Sequence, residues 1–261
     1  MKVAILCGGR GTRLREVSEL IPKPMVPIGD KPILWHIMKS YAAHGFNEFV
    51  LLLGYKGNVI REFFLNFAMH TTDVTIDLSR TDAGRLTFHG TPSEPWKVTL
   101  VDTGEEAMTG ARIRRARQFL EDDDCFCATY GDGVGDIDIT ALLEFHRAHG
   151  KLATVTGVLP PGRFGELVVQ NGAVRTFNEK PQVSGGCING GFFVFQREMI
   201  DRVLNDRDDL VLEREPMEQL AAAGELMMFR HEGFWQPMDT PREYQLLNDL
   251  WATGKAPWKT W

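Results

Sequence analysis

Cysteine is scarce. The four present in 261 residues, Cys7, Cys125, Cys127 and Cys187, form no C-x-x-C pair and are too few for a disulfide framework. They read as reduced core residues. No stretch approaches the roughly 18 consecutive apolar residues of a membrane-spanning helix, so no membrane partner is expected. Met1-Lys2 runs straight into an apolar segment without a signal-peptide pattern, which makes the cytoplasm the expected location. Positive charge is not in excess either. The formal net charge of −6 argues against a nucleic-acid partner, although it leaves room for a local basic pocket. The densest basic cluster, Arg112, Arg114, Arg115 and Arg117, reads for most of its members as a solvated helix face. Seven histidines show no metal-ligand spacing; His146 and His149, three apart, lack a partner set and receive no catalytic role. Repeats, low-complexity tracts and linkers are missing as well. With 43% hydrophobic residues the chain can bury a substantial core, so a single domain over residues 1–261 is expected.

What is there alternates between strand and helix patterns. Residues 3–7 form an uninterrupted apolar run ending in glycines, the mark of a strand buried on both faces. A helix follows over 32–43 and a second buried strand over 49–53. Residues 58–70 read as helix, and 73–78 alternate as a strand with one wet face. Helix is expected at 107–120, strand at 125–130, helix at 140–149 and strand at 153–159. Residues 166–170 and 173–177 flank Asn171-Gly172, a type I′ hairpin signal. Strands at 190–195 and 225–230 and helices at 197–205, 213–223 and 242–253 complete the chain. The fold class expected is α/β: a three-layer, Rossmann-like mixed sheet, mostly parallel, with helices on both faces and an antiparallel addition.

Ligands of such sheets bind beyond the carboxyl ends of the strands, where the loop Cys7-Gly8-Gly9-Arg10-Gly11-Thr12-Arg13-Leu14 falls. Glycines there let the backbone approach an oxygen-rich anion, and phosphate is the natural guest. A dinucleotide fingerprint would put its third glycine at Leu14, and strand two ends in Gly54-Tyr55 rather than an acidic ribose ligand. A Walker A loop would need a lysine that Gly11-Thr12-Arg13 does not supply. What remains is Arg13 with Thr12 beside an anion, and Lys23 held between Pro22 and Pro24 on a stiffened segment. By itself Lys23 reads equally as a surface lysine in a proline-rich turn.

Gly8-Gly9-Arg10-Gly11-Thr12-Arg13-Leu14 followed by Pro22-Lys23-Pro24-Met25 resembles the signature of the sugar-1-phosphate nucleotidyltransferases. Further stretches look like the cytidylyltransferase branch of that family: Glu94-Pro95-Trp96, Tyr130-Gly131-Asp132-Gly133, Asn189-Gly190-Gly191-Phe192-Phe193 and Trp235-Gln236-Pro237-Met238-Asp239-Thr240. The resemblance spans the whole chain, with Cys7 where alanine is common. It implies an enzyme that joins CTP to glucose 1-phosphate with Mg2+, releasing pyrophosphate and feeding deoxysugar and surface-polysaccharide synthesis, and it implies a homo-oligomer. It also implies a nucleotide-binding half over 1–135, a sugar-phosphate half over 136–240 and a helical extension over 241–261. The same chemistry with dTTP, UTP or another sugar phosphate, and a non-catalytic nucleotide-sugar sensor, remain the alternatives.

In-line attack on a phosphorus atom needs positioning and charge neutralisation rather than a protein nucleophile. Mg2+ suits that task and prefers one or two carboxylates. Asp132, between glycines at the end of a buried strand, is one candidate, though an ordinary Asp-Gly turn fits the spacing as well. Asp239 is the second; only the resemblance joins the two as metal ligands. Asp136 and Asp138 read as a solvated loop and helix start. The resemblance makes Arg13, Lys23 and Asp132 catalytic. It assigns the nucleotide to Leu6, Cys7, Gly8, Gly9, Arg10, Gly11, Thr12, Arg13, Lys23, Thr109, Gly110, Arg112 and Gly131. It assigns the sugar phosphate to Gly165, Glu179, Lys180, Asn189 and Trp235. Thr109 could equally be a helix-cap hydroxyl, and Trp235 a core residue.

Overall fold

A computed structural model describes residues 1–9, 21–91, 93–160, 166–170, 173–178 and 186–261. Seven strands build the central sheet: β1 (Lys2–Leu6), β2 (Glu48–Leu53), β3 (Lys97–Asp102), β4 (Cys125–Tyr130), β5 (Ala153–Val158), β6 (Ile188–Gln196) and β7 (Leu226–His231). Their order across the sheet is β7-β5-β6-β4-β1-β2-β3. β1 pairs in parallel with both β2 and β4, β2 with β3, and β5 with β7. β6 alone runs antiparallel, between β4 and β5.

The apolar runs explain the layering. Side chains of a strand alternate between faces. Accordingly Val3, Ile5, Phe49 and Leu51 join one buried cluster, while Ala4, Leu6, Val50 and Leu52 join the other. On the first face pack α1 (Ile33–Ala43) and α5 (Ile139–His149), the latter capped by Asp138 accepting from Ala141 N–H at 2.9 Å. On the second packs α4 (Thr109–Arg115). The final helix, α8 (Pro241–Ala252), and the tail beyond it also enter the first face. Trp258 is fully buried there, its Nε1 donating to His36 Nδ1 at 3.4 Å, while His36 Nε2 donates to the Ile28 carbonyl at 3.0 Å. Burial pushes the His36 imidazole down to about 4, which keeps it neutral.

Several expectations need correction. The helix read over 58–70 is two, α2 (Gly57–Leu65) and α3 (Phe67–Thr71), separated at Asn66. That read over 107–120 stops at Arg115 and continues only as a 3-10 turn, Arg117–Phe119. The strand at 73–78 ends at Ile76 and pairs with Leu86–His89, a partner the sequence reading missed; neither strand has a dry face. β3 was also missed. The strands 166–170 and 173–178 do pair antiparallel; their turn, Asn171-Gly172, lies outside the described residues. α6 (Met199–Val203) and α7 (Glu215–Ala222) are shorter than read. Among the described residues no helix is long and apolar enough to cross a membrane.

Candidate active site

The strand order reverses between β1 and β4: the chain passes from β1 outward through β2 and β3, then returns to β4 on the other side of β1. Crevices open at the carboxyl ends of strands at such a reversal. Here a cleft of about 520 Å³ is walled by Leu6, Gly8 and Gly9 after β1, Tyr130, Gly131 and Asp132 after β4, and Thr109 and Arg112 of α4. Lys23, Asn189, Gly190, Gly191, Trp235 and Asp239 complete the wall.

β6 reaches this end of the sheet with its first residues because it is antiparallel. Opposite β5 its register jumps from Phe193↔Val155 to Asn189↔Gly157, so Gly190 and Gly191 bulge from the ladder. Gly191 has φ +78°, and a β-carbon there would overlap the Tyr130 ring. Asn189 is thereby turned toward the cleft, its Nδ2 donating to Tyr130 Oη at 3.3 Å and its Oδ1 accepting from Gly191 N–H at 2.8 Å. Trp235 stands half-buried on the rim with Nε1 donating to the Gly190 carbonyl at 2.7 Å, so it is neither core nor free surface.

Asp132 and Asp239 meet because of a two-stranded ribbon. Gly133–Gly135 pairs antiparallel with Trp235–Pro237, Gly133 opposite Pro237, and Met238 N–H donates to the Asp132 carbonyl at 2.8 Å. Each aspartate sits just beyond the end of its ribbon strand, which brings both carboxylates to Lys23. Lys23, only 9% exposed, opens the 3-10 turn Lys23–Met25; its ammonium donates to Asp132 Oδ2 at 2.6 Å and to Asp239 Oδ1. Burial alone would lower this ammonium, but the two carboxylates, Asp132 foremost, reverse that and hold it above its ordinary value. Two carboxylates opening on a cleft are the donor set that Mg2+ takes alongside phosphate oxygens and water. Among the described residues no group of three or more His, Cys, Asp or Glu side chains gathers to hold a metal by itself.

Arg112 plays a different part from its neighbours in the arginine cluster. Arg114 and Arg117 pair with Asp201, and Arg115 with Asp208, on the surface. Arg112 is 4% exposed and donates to the carbonyls of Leu53, Gly104, Glu105 and Gly8 and to Thr103 Oγ1, at 2.7–3.2 Å. It therefore ties the end of β2 to the loops that follow β1 and β3. Thr109 does not cap its own helix: its hydroxyl donates to Glu213 Oε2 at 2.7 Å and accepts from Leu212 N–H at 2.9 Å. Glu213 also accepts from Tyr130 Oη, so one carboxylate joins the two walls. Glu213 and Tyr130 were missed as site residues. Nothing in the run Glu213-Arg214-Glu215 marks its first member as facing inward.

Cys7 and Gly110 lie behind the wall. Burial pushes the Cys7 thiol well up, so it stays protonated. Gly110 packs against Leu210, where a β-carbon would come within 2.9 Å of Cγ. Gly131 donates its N–H to the Leu6 carbonyl at 3.0 Å, binding the β4 loop to β1. Asp136 is not in a solvated loop; it pairs with His231 at 3.0 Å. The expected site residues Arg10, Gly11, Thr12, Arg13, Gly165, Glu179 and Lys180 lie outside the described residues.

Residues 2–237 match the nucleotidyl transferase family, and the chain belongs to it. It is 54% identical over its full length to the whole of a glucose-1-phosphate cytidylyltransferase from Salmonella typhi. A probable glucose-1-phosphate cytidylyltransferase from Bacillus subtilis is 44% identical, again with both chains covered completely. Among solved structures, a putative glucose-1-phosphate thymidylyltransferase from Bacillus anthracis superposes with a TM-score of 0.69 at 18% identity. That match covers 96% of this chain and 94% of the other, a likeness of fold.

Proposed function

We propose that this protein transfers a cytidylyl group from CTP to α-D-glucose 1-phosphate, forming CDP-glucose and pyrophosphate. Full-length identity of 54% to a glucose-1-phosphate cytidylyltransferase supports the choice of substrates. The chemistry rests on one observation above all: Lys23, Asp132 and Asp239 converge at the carboxyl ends of β1 and β4, beside the backbone of Gly8 and Gly9.

A sugar-phosphate oxygen attacks the α-phosphorus of CTP in line, the bond from that phosphorus to the bridging oxygen breaks, and pyrophosphate departs. Asp132 and Asp239 are the ligands of the divalent cation, taken as Mg2+, which when bound neutralises phosphate charge. Lys23 supplies a buried positive charge to the triphosphate; the family resemblance gives Arg13 a part at the same phosphates. The low exposure of Lys23 strengthens its interaction relative to one in water. Arg112 fixes the carbonyl of Gly8 and so the shape of the loop beside the phosphates. Thr109 belongs to the nucleotide side and Asn189 to the sugar side, with Glu213 and Tyr130 joining them across the wall. The reading extends to a cytoplasmic homo-oligomer.

Pyrophosphate release measured across CTP, UTP, dTTP, ATP and GTP with several sugar 1-phosphates tests the reading. CTP with glucose 1-phosphate should be turned over efficiently, and stoichiometric CDP-glucose should form. Absence of turnover with that pair, or turnover only with a purine nucleotide, would refute it.

A further inference from the structure

Lys23 does more than face a triphosphate. Its ammonium already binds the same carboxylates that the proposed chemistry assigns to the cation, Asp132 Oδ2 at 2.6 Å and Asp239 Oδ1 beside it. The segment carrying it is stiff: Pro22 and Pro24 flank it, and Met25 N–H closes the turn onto the Pro22 carbonyl at 2.8 Å. On that segment the Lys23 side chain both touches the two carboxylates and lines the cleft.

We propose that Lys23 is the resident counter-ion of the Asp132–Asp239 pair and competes with the divalent cation for it. The inference rests on the reading of the two aspartates as a cation site. Two carboxylates held close together repel each other unless a positive charge lies between them, and in the free protein the ammonium supplies such a charge. A cation that enters displaces the ammonium, and the displaced ammonium is left in a buried wall of a cleft needing an anion. Phosphate oxygens of the nucleotide supply that anion. Metal and nucleotide therefore favour each other's binding through Lys23, and the free protein holds the metal weakly. The coupling works in both directions by thermodynamic necessity.

Mn2+ binding to the nucleotide-free, full-length protein, followed by the loss of the free-ion resonance signal, tests this without any turnover. Lys23→Met should bind Mn2+ at least tenfold more tightly than wild type, because the competitor is gone. Lys23→Arg, which keeps a competing charge, should stay within a few-fold of wild type. Equal or weaker Mn2+ binding by a folded Lys23→Met overturns the proposal. Should Lys23→Met fail to fold by circular dichroism, wild type decides the matter: saturating Mn2+ should raise the rate at which an amine-directed reagent labels Lys23, read by mass spectrometry. An unchanged labelling rate overturns it as well. Asp132→Asn in the same titration separates the two readings. If it loses Mn2+ binding while Lys23→Met gains none, the cation site stands and the competition falls; if it binds Mn2+ like wild type, both fall.

Discussion

Arg112 and Gly8 are packed so closely that a β-carbon on the glycine would overlap the guanidinium, while Arg112 Nη2 donates to the Gly8 carbonyl at 3.1 Å. Gly54, after β2, lies against the same guanidinium. The glycine after β1 is thus required by a neighbouring side chain as well as by any approach to phosphate.

Gly8→Ala should therefore cost about 1–3 kcal/mol of stability, the usual range for overpacking a well-filled site. It should lower turnover further by shifting the loop, since small misplacements of reacting groups are costly. Urea unfolding and steady-state kinetics on the same preparation check both effects. Full stability would mean that the guanidinium yields freely.

Asp239 is anchored through its own backbone. Its N–H and that of Thr240 both donate to Glu243 Oε2, at 2.8 and 2.9 Å, while Thr240 Oγ1 accepts from Glu243 N–H at 3.3 Å, a capping box at the start of α8. Thr240→Ala should lose about 1 kcal/mol of stability with turnover nearly intact. Glu243→Ala should lose a similar amount and also several-fold in turnover, because the aspartate loses its backbone restraint. Equal turnover in the two variants would contradict the anchoring role.

Acid should destabilise the fold before the carboxylates titrate. His36 and His146 are fully buried, and burial pushes both imidazoles from 6.5 down to about 4. The unfolded chain therefore binds more protons than the native one between about pH 4 and 6.5, and stability rises with pH through that window. Above 6.5 the contribution is fully present; it is lost as pH falls toward 4, by on the order of 3 kcal/mol for each histidine whose shift is complete. Chemical unfolding between pH 4 and 7.5 should show this slope. His146→Gln should flatten it; an unchanged slope would point to other groups.

The sheet was legible where burial on both faces wrote a continuous apolar run, as in β1, β2 and β4, and the loop after β1 was legible because glycines and basic residues are informative at a strand end. β3 was not, since Lys97-Val98-Thr99-Leu100-Val101-Asp102 is a short, partly exposed strand bounded by charges. The ribbon of Gly133–Gly135 with Trp235–Pro237 was illegible for another reason. Its strands are three residues each and pair across the chain, yet that ribbon is what carries Asp132 to Asp239. Local pattern cannot announce such a pairing; only the family resemblance linked the two aspartates beforehand. Arg112 has a role that local pattern did not show. The resemblance put it on the nucleotide side, and the fold in addition commits its guanidinium to five acceptors, at the end of β2 and in the loops after β1 and β3.

The central claim is that Asp132 and Asp239 act together on one phosphoryl transfer. The rate of pyrophosphate release from CTP and glucose 1-phosphate with saturating Mg2+ should fall by about two orders of magnitude or more in Asp132→Asn and in Asp239→Asn, with native circular dichroism. A wild-type rate in either variant would contradict it.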